Sequence, residues 1–269
     1  MRVALLSDIH ANSIALDAVL QDIEAQGGAS HYWILGDMVP LGPDPLGVIE
    51  RLMPLPNVQF IHGNGDRYTW TGDRPTPTLE QAKADPDKVV IYGEVMGTFP
   101  WTQGMLTAAG WFEWLGTLPL EMRHTLPDGT RFLGVHASPG SDDSEGIHPA
   151  LNHDEIYELV KDCDADLICV GHTHMPLSKR VGPPENQKHV VNLGSISNGV
   201  QPDIRASYVL LDADEQGYTI IHRRVAYDYE AVIAQMERLK YPSTRYLTEN
   251  MRGLRVHRNY RPGAIEIEI

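Results

Sequence analysis

Five short apolar runs in this 269-residue chain each end in a cluster of Asp, Asn and His, and that arrangement narrows the choice of fold more than any other. Residues 2–7 run into Asp8-Ile9-His10, 32–35 into Gly36-Asp37, and 58–62 into Gly63-Asn64-Gly65-Asp66. Later, 131–136 closes on His136, and 167–170 runs into Gly171-His172-Thr173-His174. Helical patterns separate the first three runs: 12–26, with Leu16, Val19, Leu20 and Ile23 on one face, and 45–53. Asn12 or Ser13 is expected to cap the first helix, and Gly27-Gly28 to end it. Strands alternating with helices predict a largely parallel sheet with helices on its faces. Ligands bind such sheets beyond the carboxyl ends of the strands, so the five clusters are expected to converge.

The rest of the chain reads less regularly. Residues 67–123, which include Trp70, Trp101, Trp111 and Trp114, predict a helical insertion with pieces near 85–96 and 107–115. Strands at 122–126 and 131–136 flank Pro127-Asp128-Gly129-Thr130, a hairpin signal. A helix at 153–162, strands at 167–170, 190–193, 207–212 and 218–226, and a helix at 229–239 follow. The tail beyond Pro242 is expected to be irregular. With no internal repeat or linker, one domain over 1–269 is expected, with the insertion at 67–123 and a C-terminal helix and tail at 228–269.

Hydrophobic residues at 42% and charged residues at 22% exclude a disordered or fibrous chain. The formal net charge of −14 argues against clamping nucleic acid or an anionic membrane, so any phosphate must be drawn in locally, as by metal ions. Cys163 and Cys169, the only two cysteines, read as buried thiols in a reducing compartment. The N-terminus carries no signal-peptide core and no run reaches membrane-span length, which predicts a soluble cytoplasmic protein.

Histidine with carboxylate suits divalent Mn, Fe, Ni or Zn. The clusters supply Asp8, His10, Asp37, Asn64, His136, His172 and His174, more donors than one ion takes from a protein. Two ions sharing a carboxylate are therefore expected. Asp8 with His10, and His172 with His174, stand at i, i+2, which in a strand points both side chains the same way. Glycine before Asp37, Asn64 and His172 permits sharp turns. Taken singly, a strand-end Asp or Asn is a turn or cap, as Asn12 reads by default. His31 and His189 read as packing residues, and Trp101, Trp111 and Trp114 as the insertion's own core or a dimer contact. Arg67 and Arg205 are candidate phosphate contacts, with Asn12 a third. Glu230 and the acids within 142–145 read as surface charge.

In order and spacing these motifs resemble the calcineurin-like metallophosphoesterase superfamily: Asp-x-His, Gly-Asp, Gly-Asn-His-(Asp/Glu), a later His, and Gly-His-x-His. Asn192-Leu193-Gly194-Ser195, Arg205-Ala206-Ser207-Tyr208 and Tyr227-Asp228-Tyr229-Glu230 are similar to its compact bacterial phosphodiesterase-like branch, which usually has proline where Leu193 stands. The resemblance implies an α/β, four-layer αββα sandwich of two mixed sheets flanked by helices. It implies one metal on Asp8, His10, Asp37 and His174, and a second on Asp37, Asn64, His136 and His172, with Mn favoured. A metal-bridging hydroxide would then attack phosphorus. Asp37 and Asn64 are the residues assigned a catalytic part. The implied reaction is hydrolysis of a small or nucleotide-like phosphodiester. The alternatives are a phosphomonoesterase (including a protein serine/threonine phosphatase), a dinucleoside polyphosphate hydrolase, and a non-catalytic scaffold. Gly65 departs from the pattern: it stands where a histidine often protonates the leaving alcohol, so substrates needing little protonation are favoured unless His62, His148 or His153 substitutes.

Overall fold

The computed structural model describes residues 1–200 and 203–254. The first half of the chain runs β1 (Arg2–Leu6), α1 (Ser13–Ala25), β2 (His31–Leu35), α2 (Pro45–Leu52) and β3 (Val58–Ile61). Next come α3 (Asn64–Thr71), α4 (Leu79–Ala84), α5 (Val89–Ala109) and α6 (Phe112–Leu115). The second half runs β4 (Glu121–Thr125), β5 (Arg131–Val135), α7 (His153–Val160), β6 (Leu167–Val170), β7 (Leu177–Val181) and β8 (Lys188–Asn192). It ends with β9 (Ala206–Asp214), β10 (Gly217–Val225), α8 (Tyr229–Leu239) and α9 (Thr244–Met251).

The strands form two five-stranded mixed sheets, ordered β10-β9-β1-β2-β3 and β4-β5-β6-β8-β7. In the first, β1, β2 and β3 are parallel and β9 runs antiparallel to β1. In the second, β5, β6 and β8 are parallel, with antiparallel rims at β4 and β7. The two-residue period of a strand builds the layers. Val3 and Leu5 of β1 join Trp33, Phe132, Leu167, Val191 and Val209 in the core between the sheets. Ala4 and Leu6, on the opposite face, pack with Leu16, Val19 and Ile23 of α1 and with Val48 and Leu52 of α2. Leu133, Ile168 and Val190 pack against Ile156 and Val160 of α7 on the outside of the second sheet. Helix, sheet, sheet, helix is thus the layering that the resemblance implied.

The differences from the sequence reading lie where local signals mislead. The helical pieces expected near 85–96 and 107–115 fall differently: α6 stands separately, and α5 is one 21-residue helix that spans the gap between them through Pro100. Its interior glycines and proline read as breakers. Burial of Val95, Thr98, Phe99, Thr102 and Leu106 outweighs them. The segment past Pro242 holds α9, whose Leu247 and Met251 complete a small core with Val232, Ile233 and Met236 of α8. The tail beyond residue 254 lies outside the described residues. Strand β7 had no sequence signal of its own, because Ser178, Lys179 and Arg180 interrupt its apolar run. Among the described residues no helix is long and apolar enough to cross a membrane.

His189 on β8 bridges the two sheets, accepting and donating between Ser178 Oγ and Tyr218 Oη, both at 2.9 Å. Burial, with help from the Arg180 and His222 charges, holds its pKa down at about 4. An unfolded chain protonates this ring near the ordinary histidine value of 6.5, so the unfolded state binds the extra proton below that pH. Stability contributed by neutral His189 is therefore present above about pH 6.5 and lost as the pH falls towards about 4. Urea midpoints measured across this window should fall more steeply for wild type than for His189→Gln; parallel curves would exclude this source.

Candidate metal centre

The predicted donors meet at the carboxyl ends of the parallel strands. Asp8 and His10 follow β1, Asp37 follows β2, Asn64 opens α3 after β3, His136 follows β5, and His172 and His174 follow β6. The backbone brings them together differently from the strand-alternation argument. Asp8, His10, Asp37, His172 and His174 all have positive φ, between 47° and 66°. Left-handed conformations cost a side-chain-bearing residue about 1–2 kcal/mol each. Their concentration at one sheet edge marks a site held by its surroundings. The loops after β1 and β2 are laced together, with the Asp8, His10 and Ala11 amides donating to the Gly36, Asp37 and Met38 carbonyls at 2.8–3.1 Å.

Two donor groups result: Asp8 with His10 and His174, and Asp8 with Asp37 and His136, the atoms of each group lying within 4.8 Å of one another. His174 Nε2 is 3.1 Å from Asp8 Oδ1, and His136 Nε2 is 3.6 Å from Asp37 Oδ2. His172 Nδ1 and Asn64 Oδ1 stand 3.0 Å apart.

The outer hydrogen bonds fix which nitrogen faces inward. His10, His136 and His174 turn Nδ1 to the carbonyls of Pro40, Leu35 and Asn198, at 3.2, 2.7 and 3.1 Å. A ring nitrogen against a carbonyl carries the proton, which leaves the Nε2 lone pair for a ligand. His172 is reversed: Nε2 donates to Ser144 O at 2.9 Å, freeing Nδ1. His10 Nε2 and His174 Nε2 then lie 3.1 Å apart, lone pair facing lone pair. Only a proton or a cation between them makes that contact favourable. Asp8 Oδ1 and His136 Nε2 are buried without a hydrogen-bond partner. These orphaned donors fit a divalent cation.

The electrostatics agree. Burial works to raise Asp37, but His136, His10 and His172 outweigh it and hold the carboxyl far below the usual range. Burial works to lower His136, yet Asp37 and Asp8 push it up to about 10. The site holds its negative charge against desolvation and draws positive charge in.

Several supporting residues escaped the sequence reading. Ser7 Oγ donates to Asp8 Oδ2 at 2.6 Å and the His172 amide donates to it at 3.0 Å, so Asp8 Oδ1 is the oxygen left to face the histidines. Asp66 is fully buried and accepts from the amides of Met38, Val39 and Gly63 at 3.1–3.3 Å, behind Asp37. Ser7 stands next to a motif residue and Asp66 closes the Gly63–Asp66 cluster, but neither was given a role from the sequence. The carbonyls of Ser144 and Asn198 left no signal.

Other candidates lie apart from the donors or are otherwise engaged. Asn12 is buried, caps α1 through Ala15 N at 3.0 Å and donates to Ser197 Oγ at 3.1 Å. Arg67 is gripped by Asp142, Asp143 and Asp73. Arg205 pairs with Asp203 on the surface. His62 Nδ1 lies 3.2 Å from Asp142 Oδ2, His148 is buried in the loop after β5, and His153 is exposed at the first position of α7.

A family model described as the calcineurin-like phosphoesterase superfamily domain matches residues 1–216. The chain belongs to that superfamily. A metallophosphoesterase from Sphaerobacter thermophilus shares the structure with a TM-score of 0.71 and 27% identity, over 94% of this chain and 98% of that one. An uncharacterized protein of Methanocaldococcus jannaschii is 28% identical over 253 residues, 89% of this chain and 93% of its own length. A symmetrical bis(5'-nucleosyl)-tetraphosphatase of Cronobacter sakazakii is 33% identical over 96 residues, 32% of this chain and 34% of its own. Calcineurin-like phosphoesterases bind divalent metals, and the donor groups above are this chain's candidates for that role.

Removing Asp66 strands three buried amides, each worth about 1–3 kcal/mol when unsatisfied. Asp66→Ala should therefore lose at least about 2 kcal/mol of stability in urea unfolding. A loss within about 0.5 kcal/mol, the size of a neutral surface change, would show that the amides find other partners.

Proposed function

We propose that the chain is a dinuclear metal-dependent phosphodiesterase for small or nucleotide-like diesters. Asp8, His10, Asp37 and His174 hold one ion; Asn64, His136 and His172 hold the other, with Asp37 shared. The observation that carries this reading is the buried array of histidine lone pairs and carboxylate oxygens aimed at one space. Imidazole, carboxylate and amide donors without thiolate suit Mn, Fe, Ni or Zn, and Mn is the ion we favour. When bound, such ions supply positive charge to phosphoryl oxygens and lower the pKa of water towards neutrality.

The protein's own residues then have separable tasks. Ser7 and the His172 amide fix one oxygen of Asp8 so that the other faces the ions. The backbone carbonyls fix the histidine tautomers. Asn64, at the first turn of α3, orients its amide oxygen beside His172. Diester preference is supported by charge: Arg67, one residue from Asp66 on α3, is engaged by three carboxylates and offers no free cation to the extra negative charge of a dianionic monoester or a polyphosphate. The match to the tetraphosphatase, over one third of each chain, keeps a dinucleoside polyphosphate as the second reading. Free thiols at Cys163 and Cys169 fit a reducing, cytoplasmic setting.

Metal-stripped protein reloaded with Mn should hydrolyse bis-p-nitrophenyl phosphate faster than p-nitrophenyl phosphate, and Asn64→Ala should fall to background. Dominant monoester turnover moves the assignment to a phosphatase; faster turnover of diadenosine tetraphosphate favours the second reading. Independently of turnover, Ser7→Ala should weaken Mn binding about 10–100-fold in calorimetric titration, the usual effect of removing a group that orients a ligand. Unchanged affinity would remove Ser7 from the site.

A further inference from the structure

The space around Gly65 is already taken. A Cβ at residue 65 would come within 2.5 Å of Pro40 Cγ and 3.0 Å of Asp37 Oδ1. The Gly65 amide donates to that same Asp37 oxygen at 2.8 Å. Pro40 cannot withdraw freely, because its carbonyl accepts from His10 and its ring is part of the backbone. The turn that carries Asn64 is therefore closed to any side chain at its second position.

The other protons near the donors are committed elsewhere. His10, His136 and His174 spend their Nδ1 protons on carbonyls behind the site, and His172 spends its Nε2 proton on Ser144 O. Both Asp66 oxygens accept from backbone amides. Tyr68, one turn after Asn64, gives its hydroxyl proton to Asp143. His153 opens α7, exposed on the surface. None of these protons is aimed at the space between the donor groups; His62, beside Asp142, and His148, in the loop after β5, are tested directly below.

We infer that the leaving group departs as an anion, without a proton from a side chain, and that the natural substrates are diesters with an acidic leaving oxygen, aryl or enol in character rather than alkyl. This rests on the phosphodiesterase reading above and narrows it to the small diesters, since the leaving oxygen of a nucleotide diester is an alkyl oxygen of the sugar. In the step, water's oxygen forms a new bond to phosphorus and gives up a proton to solvent. The bond from phosphorus to the leaving oxygen breaks, that oxygen keeps the electron pair, and it is protonated by bulk water after release.

The test uses the full chain loaded with Mn and a series of methyl aryl phosphodiesters from 2,4-dinitrophenyl to phenyl. kcat/KM should fall by at least about 10²-fold along the series, the size of the assistance a general acid would supply. A nearly flat series overturns the inference; flatness that is lost in His62→Gln or in His148→Gln would identify that residue as the acid. No turnover of any diester, with Mn shown bound, overturns the phosphodiesterase reading and this inference with it. The packing half has its own readout. Gly65→Ala should lower Tm by several degrees, and Pro40→Ala should recover part of that loss in the double variant. Strictly additive shifts would break the link between Pro40 and Gly65.

Discussion

Two buried carboxylates, Asp8 and Asp37, stand within 4 Å of the same histidine nitrogen, His10 Nε2, at 3.8 and 3.9 Å. Burying both charges in one place is costly unless opposite charge comes with them. Much of the neighbouring structure serves to hold them there. Ser7 and the His172 amide secure Asp8; the Gly65 amide secures Asp37; Asp66 ties down the backbone on either side of it. The loop after β8 also closes on this point, with Ser195 Oγ donating to Asp8 O at 2.9 Å.

The same constraint explains the local backbone. The pairs Asp8 with His10 and His172 with His174 do not lie in extended strand, so strand alternation is not what aims them. Left-handed turns after β1, β2 and β6 redirect them, and hydrogen bonds between the loops hold those turns. Gly63 is needed for a related reason: a Cβ there would meet Asp37 Oδ1 at 2.2 Å, so the backbone itself wraps the carboxylate. Pro40 and Gly65 are the outer part of that wrapping.

Charge beyond the donors follows a different logic. The arginines that the sequence offered as phosphate contacts are satisfied by neighbouring acids, Arg67 by three and Arg205 by one. In a chain with a net charge of −14, neither arginine is left unpaired to meet a phosphate. Helix α3 contributes Asn64 and the Arg67 network. The tryptophans expected to form a core of their own instead pack on the rest of the fold: Trp111 and Trp114 on the core under the first sheet, Trp114 edge-on to Phe60 of β3, and Trp101 edge-on to Tyr241.

The order of apolar runs and polar clusters pointed to a largely parallel sheet with Asp8, His10, Asp37, His136, His172 and His174 at one edge, and the two-sheet layering came through the resemblance those motifs carry. Those features are periodic and local, so a sequence carries them openly. Asn12 was legible as a cap for the same reason. What only the tertiary structure decided is longer-ranged. Burial carried α5 through Pro100, since packing against distant helices outweighs propensity. Backbone carbonyls, identical in every residue, set the histidine tautomers. Pro40 closed the space at Gly65 from a position 25 residues away, where no spacing rule links the two and only their contact does.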